Sequence, residues 1–146
     1  MCLIINKDKV PTKATKDIVV YKIVEKIDYG SIMTPFQCKF ITIGETYKEK
    51  KKYEIKSSDE CEEDERIIKG GMFHSYPSIE EAERAKAFMV SVHGGLGLKI
   101  AKCIIPKGSL FIEGYSKIYH TCIFVTVDEI KLQSVGSTAI KYLSFV

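Results

Sequence analysis

"GGMFHSYPSIEEAERAKAF", residues 70–88, decides the fold, because within it the chain passes from strand to helix. Pro77 stands where the chain is not yet helical, and the residue before a proline is pushed toward extended backbone. Ser78 followed by Glu81 has the spacing of a capping box, with the serine on one orphan N–H and the glutamate reaching back to another. Ile79, Ala82, Ala85, Met89 and Val92 fall on one helical face, while Glu80, Glu83, Arg84 and Lys86 lie away from it. Gly94 and Gly95 supply a left-handed stop. The pattern predicts a helix over about 78–93.

Ahead of that helix, "MFHSYP" reads as a strand. Alternation puts Met72, His74 and Tyr76 on one side and Phe73 and Ser75 on the other. At most one of His74 and Ser75 can then face a given pocket. The helix start itself is a poor anion cradle. Its N–H groups are engaged by Ser78 and Glu81, and Glu80 and Glu81 place negative charge in the first turn.

Outward from this stretch the chain reads as strands. "DIVVYKIVEK" (17–26) is β-branched and apolar on both faces, which predicts a buried strand. "YGSIMTPF" (29–36) reads as a loop. "QCKFITI" (37–43) is a further strand, and "ETYKEKKKYEIK" (45–56) is a solvated strand or hairpin, or a flexible edge. "SSDECEEDER" (57–66) packs six acidic residues into ten and follows "KEKKK" (48–52) directly. The whole of 48–66 reads as a charged, solvated loop whose opposite blocks attract weakly across a turn. After the helix come "LKIAKCII" (98–105), the turn "PKGS" (106–109), "LFIEG" (110–114), "CIFVTVDEIKL" (122–132) and "AIKYLSFV" (139–146). The expected fold is α+β: a mostly antiparallel, bent sheet or pair of sheets packed around one main helix.

The chain as a whole supports a single domain, 1–146. Its 146 residues are 45% apolar and 28% charged, enough to build one sizeable core. Twenty-two basic and nineteen acidic residues leave a net charge of +3, too balanced to announce a nucleic-acid binder. No run approaches the roughly 20 apolar residues of a membrane helix. The opening "MCLIINKDK" has no basic region ahead of its apolar run, so no signal peptide is expected. Five scattered cysteines without a C-x-x-C suit free thiols in a reducing cytoplasm.

Few residues carry chemistry. Cys2 behind the initiator methionine resembles an N-terminal nucleophile, but no second motif supports that, and "CLII" reads as the start of a buried strand. His120 and Cys122 are two apart on one strand face, yet no second pair completes a zinc site, and no metal is expected. Cys61 sits among carboxylates, which oppose a thiolate. "GGLG" (94–97) lacks dinucleotide-loop spacing and follows a helix. The acidic run lacks the spacing of a calcium loop.

Three pieces taken together, "VVYKIV" (19–24), "GMFHSYPSIEEAERAKAF" (71–88) and "KCIIPKGSLFIEG" (102–114), resemble a family of small bacterial and phage proteins of unassigned activity. The match covers about half the chain and implies a shared fold. The same order is also similar to a degraded ADP-ribosyltransferase plan: a first strand with a catalytic Arg, a Ser motif before an Ala-rich helix, and a late strand with a catalytic Glu. That resemblance maps the Arg position onto Lys22, the Ser motif onto His74-Ser75-Tyr76, and the Glu onto Asp128 or Glu129. Lys22 cannot reproduce the planar fork of an Arg, and no Glu-x-Glu is present. NAD would be the cofactor only under this alternative; otherwise none is expected.

Two functional readings follow. The first is a non-catalytic binding, regulatory or structural module, cytoplasmic or virion-associated, acting with a protein partner or by self-association. The second is a nucleotide-handling, ADP-ribosyltransferase-like enzyme or its inactive relative, with Lys22, Ser75 and Glu129 as catalytic candidates. His74 and Tyr76 are candidate ligand-binding residues under either. The two differ on whether Lys22, Ser75 and Glu129 converge on one cleft.

Overall fold

The computed structural model describes residues 3–27, 30–34, 39–93, 97–122 and 125–146. Thirteen strands and one helix, all among these residues, follow in chain order. They are β1 (Leu3–Asn6), β2 (Thr12–Lys13), β3 (Ile18–Lys26), β4 (Ile32–Met33), β5 (Phe40–Ile41), β6 (Thr46–Lys48), β7 (Glu54–Lys56), β8 (Glu65–Lys69) and β9 (Phe73–Ser75). The helix α1 (Ile79–His93) precedes β10 (Leu98–Ile105), β11 (Leu110–Cys122), β12 (Val125–Ser137) and β13 (Ala139–Phe145). One sheet runs β7-β8-β1-β11-β12-β9, with β2 also paired to β11; the other runs β5-β4-β3-β10-β13-β6. Every named pairing is antiparallel.

The sheets meet at two seams. At the first, β12 ends at Ser137 and β13 begins at Ala139, so one extended run changes sheets at Thr138. Thr138 closes this corner by donating its N–H to the Leu110 carbonyl (3.0 Å) and accepting the Leu110 N–H on its hydroxyl (3.2 Å). At the second, the residue after β9 crosses over. Tyr76 exchanges both backbone hydrogen bonds with Tyr21 of β3, at 2.9 and 2.7 Å. Strands that pass between sheets make corners of this kind in packed β structures.

The main core lies between the sheets. Val20, Val24, Ala101, Cys103, Ile105, Ile140 and Tyr142 of the second sheet bury against Val135, with Phe73 and Phe111 of the first packed around them. The helix adds a second layer outside. Its Ala82, Ala85 and Met89 cover Ile23 and Ile100 of the second sheet and Leu132 and Tyr76 on the first sheet's side, so the helix spans the Tyr21–Tyr76 seam. A third cluster, Leu3, Ile5, Ile68, Met72 and Ile112, sits under Tyr53.

This corrects the expected α+β arrangement. The fold is sheet-dominated, and the principal core forms sheet against sheet with no helical residue in it among those described. The helix is a flanking cover and not the centre of the packing. Its predicted extent, 78–93, matches Ile79–His93 closely; Gly94 and Gly95 lie outside the described residues. The loop expected at 29–36 contains β4, and of the strand expected at 37–43 only Phe40–Ile41 is strand, residues 37 and 38 lying outside the described residues. The segment 45–56 divides between sheets, because β6 pairs with β13 and β7 with β8. The charged stretch 48–66 is therefore not one loop. Lys50, Lys51 and Lys52 precede β7, the acidic residues form the turn after it, and Glu65 and Arg66 already belong to β8.

Gly71 is one place where only glycine fits. Its φ is +66°, and a Cβ there would collide with the Tyr53 backbone. The close approach brings the segment before β7 against the entrance to β9, and thereby sets where the strand-to-helix stretch begins.

Candidate functional site

The seam between β9 and β3 gathers most of the residues that the sequence singles out. In β9, Phe73 pairs with Ser137, His74 with Gly136 and Ser75 with Val135. Side chains opposite each other in an antiparallel pair share a face. Ser75 therefore shares the inner face with Val135, while His74 shares the outer face with Gly136. The two point to opposite sides. Ser75 is 1% exposed, and its hydroxyl donates to the Val135 carbonyl at 3.3 Å.

Lys22 comes to this place from the other sheet. It pairs with Ala101, which is fully buried in the inter-sheet core, so its side chain starts on the inner face. The register set by the Tyr21–Tyr76 bridge puts Lys22 level with Ser75. The ammonium donates to the His74 carbonyl at 2.6 Å. That carbonyl belongs to the edge strand β9, and the lysine supplies it with a donor that no further strand provides.

The surroundings hold each titratable group near one charge state. Burial lowers the Lys22 ammonium to about 8, against the opposing pull of Cys103 and Glu49. Burial, helped by the Lys22 charge, lowers His74 to about 4, so the imidazole is neutral at pH 7. Burial raises the Cys103 thiol to about 12 and, with Glu81 adding to it, the Tyr76 phenol to about 12. Near neutral pH the cluster therefore holds one cation, a neutral imidazole, a phenol and a thiol. The His74 Nδ1 and the Tyr76 hydroxyl are buried without a hydrogen-bond partner among the described residues.

Glu129 does not join them. It lies on β12 opposite Tyr119, six residues from Val135, which is about 20 Å along an extended strand. Its carboxylate is exposed and pairs with Lys117 at 3.6 Å. Lys22 and Ser75 thus meet across a seam while the third member of the expected set stands elsewhere. The side chains of Asp128, His120 and Cys122 and the whole of Cys2 lie outside what is described. Among the described residues no group of three or more metal-ligating side chains occurs. No helix among them is long and apolar enough to cross a membrane.

A separate, open groove of about 640 Å³ lies where the two sheets turn into one another. Lys48 of β6, Lys107 of the 106–109 turn and Lys141 of β13 line it, together with Asp17 and Glu49, over a floor that includes Ile104. Asp17 accepts the Lys107 N–H at 2.9 Å, which fixes the turn carrying the Lys107 amine. No local motif announces this groove. Its three lysines come from segments far apart in sequence, and only the corner at Thr138 brings them together.

Compared with family models, curated proteins and solved structures, the chain gives no match.

Proposed function

We propose that the chain is a non-catalytic binding or structural module that acts through contacts with a protein partner or with copies of itself. The observation that supports this best is the use of Lys22. The one charge in the buried cluster is committed to a backbone carbonyl at a sheet seam, where it holds β9 to β3. General acid–base catalysis asks for a group that gains and loses a proton near the working pH. His74, at about 4, and Cys103, at about 12, lie well to either side; Lys22, at about 8, falls in that range, but its ammonium is engaged by the His74 carbonyl. Cys61 and Cys103, both free thiols, favour a reducing compartment such as the cytoplasm.

Calorimetric titration of the intact protein with NAD tests the reading against the transferase alternative. The expected result is no saturable heat up to millimolar NAD. Micromolar binding that disappears in Lys22→Met or Ser75→Ala, with the fold retained by circular dichroism, would overturn it.

A further inference from the structure

We propose that the lysine-lined groove receives the acidic loop of a second copy of this chain; this rests on the non-catalytic reading and names its partner. Two surfaces of opposite charge stand exposed on one molecule: an acidic loop, and a groove whose three lysines are only partly offset by Asp17 and Glu49. In the loop between β7 and β8, Asp59, Glu60, Glu62, Glu63 and Asp64 are all exposed. The ion pairs among the described residues join Lys56 to Glu54, Arg84 to Glu81 and Lys117 to Glu129, so none uses a carboxylate of this loop or a lysine of the groove.

The loop is shaped by its own backbone. Cys61 donates its N–H to the Ser58 carbonyl, Glu65 to that of Glu62, and Lys7 of the neighbouring strand end to that of Asp64. The Glu60 N–H is capped by the Ser58 hydroxyl and the Glu62 N–H by the Glu65 carboxylate. These contacts turn the carboxylates outward in a formed loop, so little ordering would oppose docking. Like charges so close together repel one another, and a counter-surface relieves that repulsion.

The groove supplies such a surface. Lys48, Lys107 and Lys141 outnumber Asp17 and Glu49 on its walls, and the exposed Lys16 and Lys50 adjoin those two residues in sequence. Its volume lies within the range of roughly 300–1,000 Å³ typical of sites that enclose a ligand, enough to admit the tip of a loop. Charge complementarity of this kind steers encounter and selects register, and it is weakened by salt.

Sedimentation velocity over a concentration series, at low and at high salt, tests the proposal. The wild-type protein is expected to self-associate at low salt, with affinity falling about tenfold or more as salt rises from ~0.05 to ~0.5 M. Two charge-reversed variants give the decisive comparison: Lys48→Glu with Lys107→Glu and Lys141→Glu, and Asp59→Lys with Glu60→Lys and Glu63→Lys. Each alone should be monomeric while keeping the wild-type circular dichroism. Mixed together they should associate, because each then offers the surface the other needs. A wild-type chain that stays monomeric at all concentrations overturns the proposal, as does association unchanged by either reversal. Binding of a fluorescent DNA oligonucleotide by a monomeric wild-type chain, lost in the groove variant, would overturn it in favour of a polyanion site. The NAD titration is independent of all these outcomes, so loss of self-association with no NAD binding leaves the non-catalytic reading standing.

Discussion

His74 shows how one residue acquires its properties from its neighbours. Its backbone carbonyl takes the Lys22 ammonium, and its ring lies on the opposite face of β9 from Ser75. The ring is held neutral down to about pH 4, where an ordinary histidine takes up its proton near 6.5. Between those two values the unfolded chain binds more protons than the folded one. The contribution of the neutral ring to stability is therefore fully present above about pH 6.5 and is lost as pH falls toward 4. Urea denaturation at intervals from pH 7 to 4.5 should show the midpoint dropping, and His74→Gln should flatten that fall. An unchanged slope in the variant would mean that the imidazole titrates freely in solvent. The residue is legible in the sequence as a candidate, but its role is not. Neither the carbonyl contact to Lys22 nor the burial of the ring has any signature within "MFHSYP".

At the scale of the element, the helix is where local rules predict most, yet tertiary contact still rewrites part of them. Ser78 accepts the Glu81 N–H at 3.2 Å, as a capping residue should. Glu81 does not return to the Ser78 N–H to complete the box. Its carboxylate accepts the Gln133 N–H of β12 at 2.9 Å and pairs with Arg84 at 2.7 Å, while Arg84 also reaches the Lys131 carbonyl at 3.5 Å. The reason lies in β9. That strand ends at Ser75, opposite Val135, and leaves the next donor of β12, at Gln133, without a strand partner. Glu81 takes the place of the missing strand. Ser78→Ala should therefore cost about 1 kcal/mol, the usual value of a lost cap. Glu81→Ala should cost more, about 1.5–3 kcal/mol, because a charge-assisted bond to a sheet edge goes with it. Chemical denaturation of the two variants decides this, and equal costs would reduce Glu81 to a local helix residue.

Across the whole molecule the charged blocks lie differently from their order in the sequence. Lys50–Lys52 and the acidic run look like neighbours that attract across a turn. In the fold they sit at the two ends of the β7–β8 hairpin, with the strands between them. All three lysines are exposed, and none forms an ion pair among the described residues. Replacing Lys50, Lys51 and Lys52 together with glutamine should change the unfolding free energy by no more than about 0.5 kcal/mol per site. A loss of several kcal/mol in guanidinium unfolding would show that they are bound into the folded structure. The same replacements leave the groove lysines Lys48, Lys107 and Lys141 in place, so they separate the stability of the fold from its self-association.

Some features depend on a few adjacent residues and are legible in them: the helix and its serine cap, the buried strand at 18–26, the strand at 98–105 and the turn after it. Periodicity, capping and glycine placement act within one or two turns, and they survive whatever the rest of the chain does. That the sheets pack on each other and leave the helix outside follows only from long-range contacts. The same contacts bring Lys22 level with Ser75 and leave Glu129 apart, turn Glu81 to β12 in place of its own helix start, and line one groove with three distant lysines. Strand pairing is non-local. β11 extends to Cys122 through "YSKIYHTC", and β12 ends in "QSVGS", where Ser134 and Gly136 are buried. These stretches look like weak strands because their small residues suit partners elsewhere. Ser134 lies 2.6 Å from the Ser116 hydroxyl, and a Cβ on Gly136 would crowd Leu3 and Met72. Such a fit is a property of two surfaces that meet only after the chain has folded, so no single stretch of sequence contains it.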